Sequence, residues 1–238
     1  PAKLSFVDVL RSSGPVGTFQ GLGTLHNLGV PYIFTQGAPD DPRVIHDMSV
    51  AARAAQTRRA LRTARFGLLP AHNEQMQSTF VDEFRLLADL GPAVHYLSVG
   101  NLQRVVLGIS DEDVRTFVNY LRDRYPIQGI SESTLNHAVR VSQGLARLCE
   151  QRDLDVLAFD TTAPEIHVVF GLRPALYPVW LEQNGIHIGL EGDLGAVTAL
   201  YVLQFLSGSP TFFLEIWGWD EADNTLIGGH SGPQNPVL

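Results

Sequence analysis

The sequence predicts an α/β protein: a three-layer sandwich with a largely parallel sheet. Two observations carry this. Short apolar runs alternate with helix-length amphipathic segments through the middle of the chain. The last third then offers a strand, a helix-length apolar run and a second apolar strand, read as a crossover between parallel strands.

The elements follow in order. Val30 to Thr35 reads as a strand, followed by the Gly37-Ala38-Pro39-Asp40-Asp41-Pro42 turn. Residues 43–62 place Val44, Met48, Ala51 or Ala52, and Ala55 at helical spacing. Arg65 to Leu69 is a second strand. Thr79 to Leu90 is a helix with Phe80, Phe84, Leu87 and Ala88 on one side, and Thr79 with Asp82 is the candidate capping box at its start. Ala93 to Leu97 is a third strand. Helices follow over about 111–124, marked by Ser110 and Asp113, and about 133–151. Leu154 to Phe159 is another strand, leaving through the polar Asp160-Thr161-Thr162 loop. A domain switch near Leu154 divides the chain into an α/β domain over 1–153 and the start of a second α/β domain over 154–238. In that second part Gly185 to Leu190 is a strand, Leu194 to Leu206 a helix apolar almost all round, and Pro210 to Ile216 a strand. Such a helix must be buried within the sandwich or at a contact. The tail from Ser231 to Leu238 is loop-like.

Composition narrows the function classes. In 238 residues, 45% are hydrophobic and 18% charged, as in a soluble globular protein. A net charge of −8 argues against general nucleic-acid binding, which needs a basic face. No run approaches membrane-spanning length, and no charged-then-apolar signal opens the sequence, which makes the cytoplasm the expected compartment. The single cysteine, Cys149, excludes an internal disulfide and reads as a small core residue in an apolar stripe.

Several motifs fall short. Gly21-Leu22-Gly23-Thr24-Leu25-His26 lacks the third glycine of a dinucleotide fingerprint, and no phosphate loop exists. His72-Asn73-Glu74 resembles the start of a deaminase motif without its cysteine pair. That loop still leaves a carboxyl-end sheet edge and can line a site. Trp217 and Trp219 alternate in a strand, where they either pack or line a pocket.

The stronger signal is a pair of carboxylates. Glu191 ends one strand of the crossover, and Glu215 lies within the apolar Phe212-Phe213-Leu214-Glu215-Ile216-Trp217 run. Open parallel sheets bind ligands at their carboxyl edge, so both side chains are expected at one site. An acidic group in so apolar a run is costly unless paired, metal-bound or open to a cleft.

With those residues in place, the chain resembles the L-fucose and L-arabinose isomerases. The likeness rests on Gly185-Ile186, Glu191-Gly192-Asp193-Leu194, Ser207-Gly208-Ser209-Pro210, the strand with Glu215, Asp220 to Thr225, and Gly229-His230-Ser231-Gly232. It extends to Leu25 to Val30, Gln36-Gly37, Ala51 to Ala55, and Arg65-Phe66-Gly67 followed by Met76. Ser231 stands where many relatives have cysteine, and position 215 is glutamate where fucose isomerases have aspartate. The resemblance implies a Rossmann-like domain followed by the start of a β-rich one, with further parts beyond both ends. It also implies Mn²⁺, or another divalent cation, held by Glu191 and Glu215 with a histidine from a distal domain. His230, Trp217 and Met76 are the implied sugar-contacting residues. The implied reaction is aldose–ketose isomerisation of a monosaccharide through an enediol, in a homo-oligomer. Both glutamates then serve as acid/base groups. A non-catalytic sugar-binding or regulatory protein on the same scaffold is the alternative.

Overall fold

The computed structural model describes residues 3, 5–11, 13–178, 181, 185–232 and 234. The expected loop over 231–238 therefore lies mostly outside the described residues. The chain divides into two compact units, 1–54 and 55–238.

The first unit holds helices α1 (Phe6–Arg11) and α2 (Gly14–Asn27), and the start of α3 (Pro42–Thr63). The glycine-rich opening is thus helical. The expected strand over 30–35 does not form: its backbone is extended but pairs with no described strand. β-branched and aromatic residues favour extension, yet a strand exists only where a neighbour supplies its hydrogen bonds. Here the segment is anchored instead by Thr35 Oγ1, which donates to Asp47 at 2.9 Å.

In the second unit, β1 (Arg65–Leu69), β2 (Ala93–Tyr96), β3 (Val156–Phe159) and β4 (His187–Leu190) form one parallel sheet in the order β2-β1-β3-β4. Strand β3 is buried throughout and β1 nearly so, as continuous apolar runs covered on both faces should be. One face carries α5 (Val99–Leu107), α7 (Glu132–Gln151) and α8 (Pro164–Phe170), whose Leu102, Leu145, Leu148 and Ile166 pack with Leu157 and Phe159. The other carries the end of α3 and α9 (Leu194–Ser207), where Leu61, Leu194 and Val197 meet Phe66, Leu68 and Val156. These three layers are the predicted sandwich. The sheet draws strands from both sides of Leu154. Helix α6 (Asp111–Arg122) packs Val114, Phe117 and Leu121 against Leu135 and Val139 of α7. Cys149 lies in the core, and burial pushes its thiol up to about 12.

In this unit two expectations need correction, and a helix forms that was not expected. The helix expected over 79–90 shortens to α4 (Glu83–Asp89), because Asp82 itself is the cap, accepting from Arg85 N at 3.0 Å. Its expected apolar side stays largely exposed at Phe80, Phe84 and Leu87. Helix α5 was not anticipated, although Ser98 and Asn101 form a reciprocal capping box ahead of Leu102, Val105 and Val106. The expected second crossover strand also fails. Residues 211–214 join no strand; β5 (Glu215–Asp220) instead pairs antiparallel with β6 (Thr225–Gly229) in a separate two-stranded sheet. The reason is local. The Glu221-Ala222-Asp223-Asn224 turn, with Asn224 at φ +50°, brings β6 back on β5 before any distant strand can compete.

Helix α9 buries Leu194, Val197 and Leu200 in the sandwich but leaves Leu203, Phe205 and Leu206 partly exposed. Among the described residues, no helix is long and apolar enough to cross a membrane.

Candidate metal centre

The carboxyl edge of the parallel sheet carries the site. Strand β4 ends at Leu190, and the chain turns sharply through Glu191 at φ +61° and Gly192 at φ +63°. A left-handed glutamate costs on the order of 1–3 kcal/mol and persists only where its surroundings impose it. The loop after β1 does so. Asn73 N donates to Glu191 O at 3.2 Å, and His72 Nδ1 lies 2.9 Å from Gly192 O. The His72-Asn73 loop thus lies at the site, as its position after β1 suggested, and it braces the turn. Asp193 then caps α9 by accepting from Ala196 N at 2.8 Å.

Glu215 and His230 arrive from the other sheet, at the start of β5 and just past β6. One ligand atom each from Glu191, Glu215 and His230 lies within 4.8 Å of the others. His230 is nearly enclosed, with 2% of its side chain exposed, and its Nε2 sits 3.8 Å from Glu191 Oε1. The ring's Nδ1 faces Ser231 O at 2.9 Å; a carbonyl only accepts, so Nδ1 carries a hydrogen and Nε2 is the nitrogen that offers a lone pair in the neutral ring. That buried Nε2 has no hydrogen-bond partner. An orphaned imidazole lone pair aimed at two carboxylates is a donor set that fits a divalent cation. Phe213 packs edge-on against the His230 ring, with centroids 4.7 Å apart.

A cavity of about 370 Å³ opens beside the cluster. Met76, Glu191, Glu215 and His230 line it, with Leu203 and Phe212 among its apolar walls. Trp217 does not line it. Its side chain is exposed, and its Nε1 donates to Glu215 Oε2 at 3.2 Å, so it orients the carboxylate. The sequence had brought Glu191 and Glu215 together through a crossover that does not exist; the convergence occurs through the hairpin. His230, expected at the pocket wall, does line the cavity and also stands within reach of both glutamates.

Burial holds the Glu191 carboxyl above its usual range; Glu215, Asp160 and Asp193 push the same way, while His230 opposes them. A carboxyl raised in the folded state favours folding at pH below its ordinary value of 4.5 and loses that contribution as pH rises through the folded value. The ionised group therefore costs stability at neutral pH when no cation balances it. With chelator present, Glu191→Gln is expected to melt higher than the wild type at pH 7, the gap closing as pH falls below 4.5. Thermal melts across pH check this; a lower melting point for the variant at pH 7 contradicts it.

The fold and the cluster together define an α/β protein with a two-carboxylate, one-imidazole centre at the carboxyl edge of a parallel sheet. No family model matches the chain. Curated proteins do align with it. An L-arabinose isomerase of Salmonella enteritidis PT4 (strain P125109) is 27% identical over 192 residues, covering 75% of this chain and 37% of that protein. L-arabinose isomerase of Escherichia coli O7:K1 (strain IAI39 / ExPEC) is 29% identical over 190 residues, covering 75% and 36%. The Klebsiella pneumoniae (strain 342) L-arabinose isomerase is 27% identical over 192 residues, covering 75% and 37%. The chain is thus similar to L-arabinose isomerases and spans little more than a third of the length of these relatives.

Proposed function

We propose that this chain carries the metal-binding part of an aldose–ketose isomerase. It would act on a monosaccharide by moving a proton between adjacent carbons through an enediol. The observation that supports this reading is the meeting of Glu191, Glu215 and the orphaned Nε2 of His230 beside an open cavity. The relatives' name, L-arabinose isomerase, supplies the reaction class.

Glu191, Glu215 and His230 would hold Mn²⁺ or another divalent cation, whose Lewis acidity stabilises negative charge developing on the sugar oxygens. The chain's own groups do the rest. Glu191 is one acid/base group of this reading, taking a proton from one sugar carbon and returning it to the next. Glu215, oriented by Trp217, is the second acid/base group. Met76, Leu203 and Phe212 give the cavity an apolar wall that limits water at the reacting carbons. A homo-oligomer belongs to the same reading, supported by the exposed Leu203, Phe205 and Leu206 of α9.

Titration calorimetry with Mn²⁺ on the full-length protein tests the proposal. Saturable binding is expected in the wild type. His230→Gln should weaken it by more than the roughly 10–100-fold typical of losing an outer-layer partner. No Mn²⁺ binding by the wild type removes the metal from the mechanism.

A further inference from the structure

The three candidate ligands sit on two separate sheets, so something must hold those sheets in register at the site. Glu191 follows β4 of the parallel sheet, whereas Glu215 and His230 belong to the β5–β6 hairpin. Arg173, in the loop after α8, reaches both. Its Nε donates to Thr161 Oγ1 at 3.0 Å, Nη1 to Ser231 Oγ at 3.3 Å, and Nη2 to Ser231 O at 3.2 Å. The same Ser231 carbonyl receives the hydrogen of His230 Nδ1 at 2.9 Å. A carbonyl oxygen has two lone pairs, and here one serves Arg173 and the other His230.

Thr161 lies in the Asp160–Thr162 loop that leaves β3. That loop also braces Glu191. Asp160 Oδ1 accepts from Thr162 N at 2.9 Å and from Thr162 Oγ1 at 2.6 Å. Thr162 Oγ1 in turn accepts from Asn73 Nδ2 at 3.2 Å, and Asn73 N donates to Glu191 O. One loop after a fully buried strand thus anchors the main chain of Glu191 through Asn73 and that of Ser231 through Arg173.

We propose that Arg173 is a positioning residue: its guanidinium latches the hairpin to the β3 loop and, through the Ser231 carbonyl, fixes His230 as the Nδ1–H tautomer with Nε2 turned to the two glutamates. This rests on the metal-binding reading above. Arginine suits the task because its planar fork places three donors in fixed directions, whereas a lysine ammonium is a point charge that cannot span Thr161 Oγ1 and both Ser231 oxygens. Outer partners of metal-bound histidines typically set affinity through ring orientation and tautomer.

Two readings on the full-length protein test the latch. One is Mn²⁺ affinity by calorimetry. The other is solid-state ¹⁵N spectroscopy of histidine-labelled, metal-free protein, with the His230 signals assigned by their loss in His230→Gln. Arg173→Lys is expected to weaken Mn²⁺ binding by roughly 10–100-fold and to turn a single His230 tautomer into a mixture, with the melting temperature little changed. Wild-type affinity together with a single Nδ1–H tautomer in Arg173→Lys overturns the proposal. Should that variant fail to fold, Thr161→Ala removes one anchor and keeps the charge; the same two readings then decide, in the same directions. If the wild type binds no Mn²⁺, the metal reading fails by itself, and the tautomer comparison still decides whether Arg173 positions His230.

Discussion

Glu191→Gln and Glu215→Gln are each expected to slow aldose–ketose proton exchange by roughly 10²–10⁴-fold, the usual cost of losing one acid/base group. Glutamine keeps the size of each side chain but can neither take nor return a proton near neutral pH. It is also a poorer ligand for a hard cation, which deepens the loss. The fold should survive both changes. Glu191 is half-buried beside other carboxylates that already resist its ionisation, so a neutral amide relieves repulsion there. Glu215 is exposed, and its only described hydrogen bond, from Trp217, can pass to the amide oxygen. The measurement is deuterium incorporation into a pentose or hexose by the full-length protein with saturating Mn²⁺, alongside a thermal melt for each variant. Unchanged exchange in both variants, or melts that collapse in step with exchange, would make these glutamates structural.

The sheet was legible where burial is symmetrical. β1 and β3 are runs of apolar residues covered on both faces, and such runs announce themselves whatever their neighbours. The segment over 30–35 has the same composition, but composition does not say whether a pairing partner exists. Helix α6 was visible because the serine cap at Ser110 precedes a strongly amphipathic stretch, and α7 through its amphipathic stretch alone; its cap, Ser131, went unread. α8 has only seven residues and no side-chain cap, which leaves little to detect. At the site, the carboxylates stood out as acidic groups in apolar surroundings. The approach of His230 to the carboxylates did not, because it depends on a hairpin that brings its Nε2 to within 3.8 Å of Glu191. Arg173 was invisible for the same reason. Its two partner residues, Thr161 and Ser231, lie 12 and 58 residues away, and no spacing rule links them.

Gly192→Ala should be among the most damaging single substitutions at the site, because it combines backbone strain with a clash against backbone. An added Cβ at residue 192 would meet Ala71 O at 2.3 Å and His72 Cα at 2.9 Å. Neither atom can swing aside as the end of a flexible side chain could. Holding alanine at φ +63° costs about 1–2 kcal/mol by itself. To clear the Cβ, the 71–73 loop must also retreat, straining the contacts of His72 with Gly192 O and of Asn73 with Glu191 O, each worth about 1 kcal/mol. The sum is about 3–4 kcal/mol, or roughly a 10 °C fall in melting temperature for a unit of this size. Gly208→Ala separates the two effects. Gly208 has nearly the same φ, +65°, but nothing lies within 4 Å of its added Cβ, so that variant carries the strain without the clash. The expected order is wild type, then Gly208→Ala, then Gly192→Ala. Mn²⁺ affinity should fall only in Gly192→Ala, because only there does the Glu191 turn move. Equal melting losses in the two variants, or wild-type Mn²⁺ affinity in Gly192→Ala, would mean that the 71–73 loop does not hold Glu191 in place.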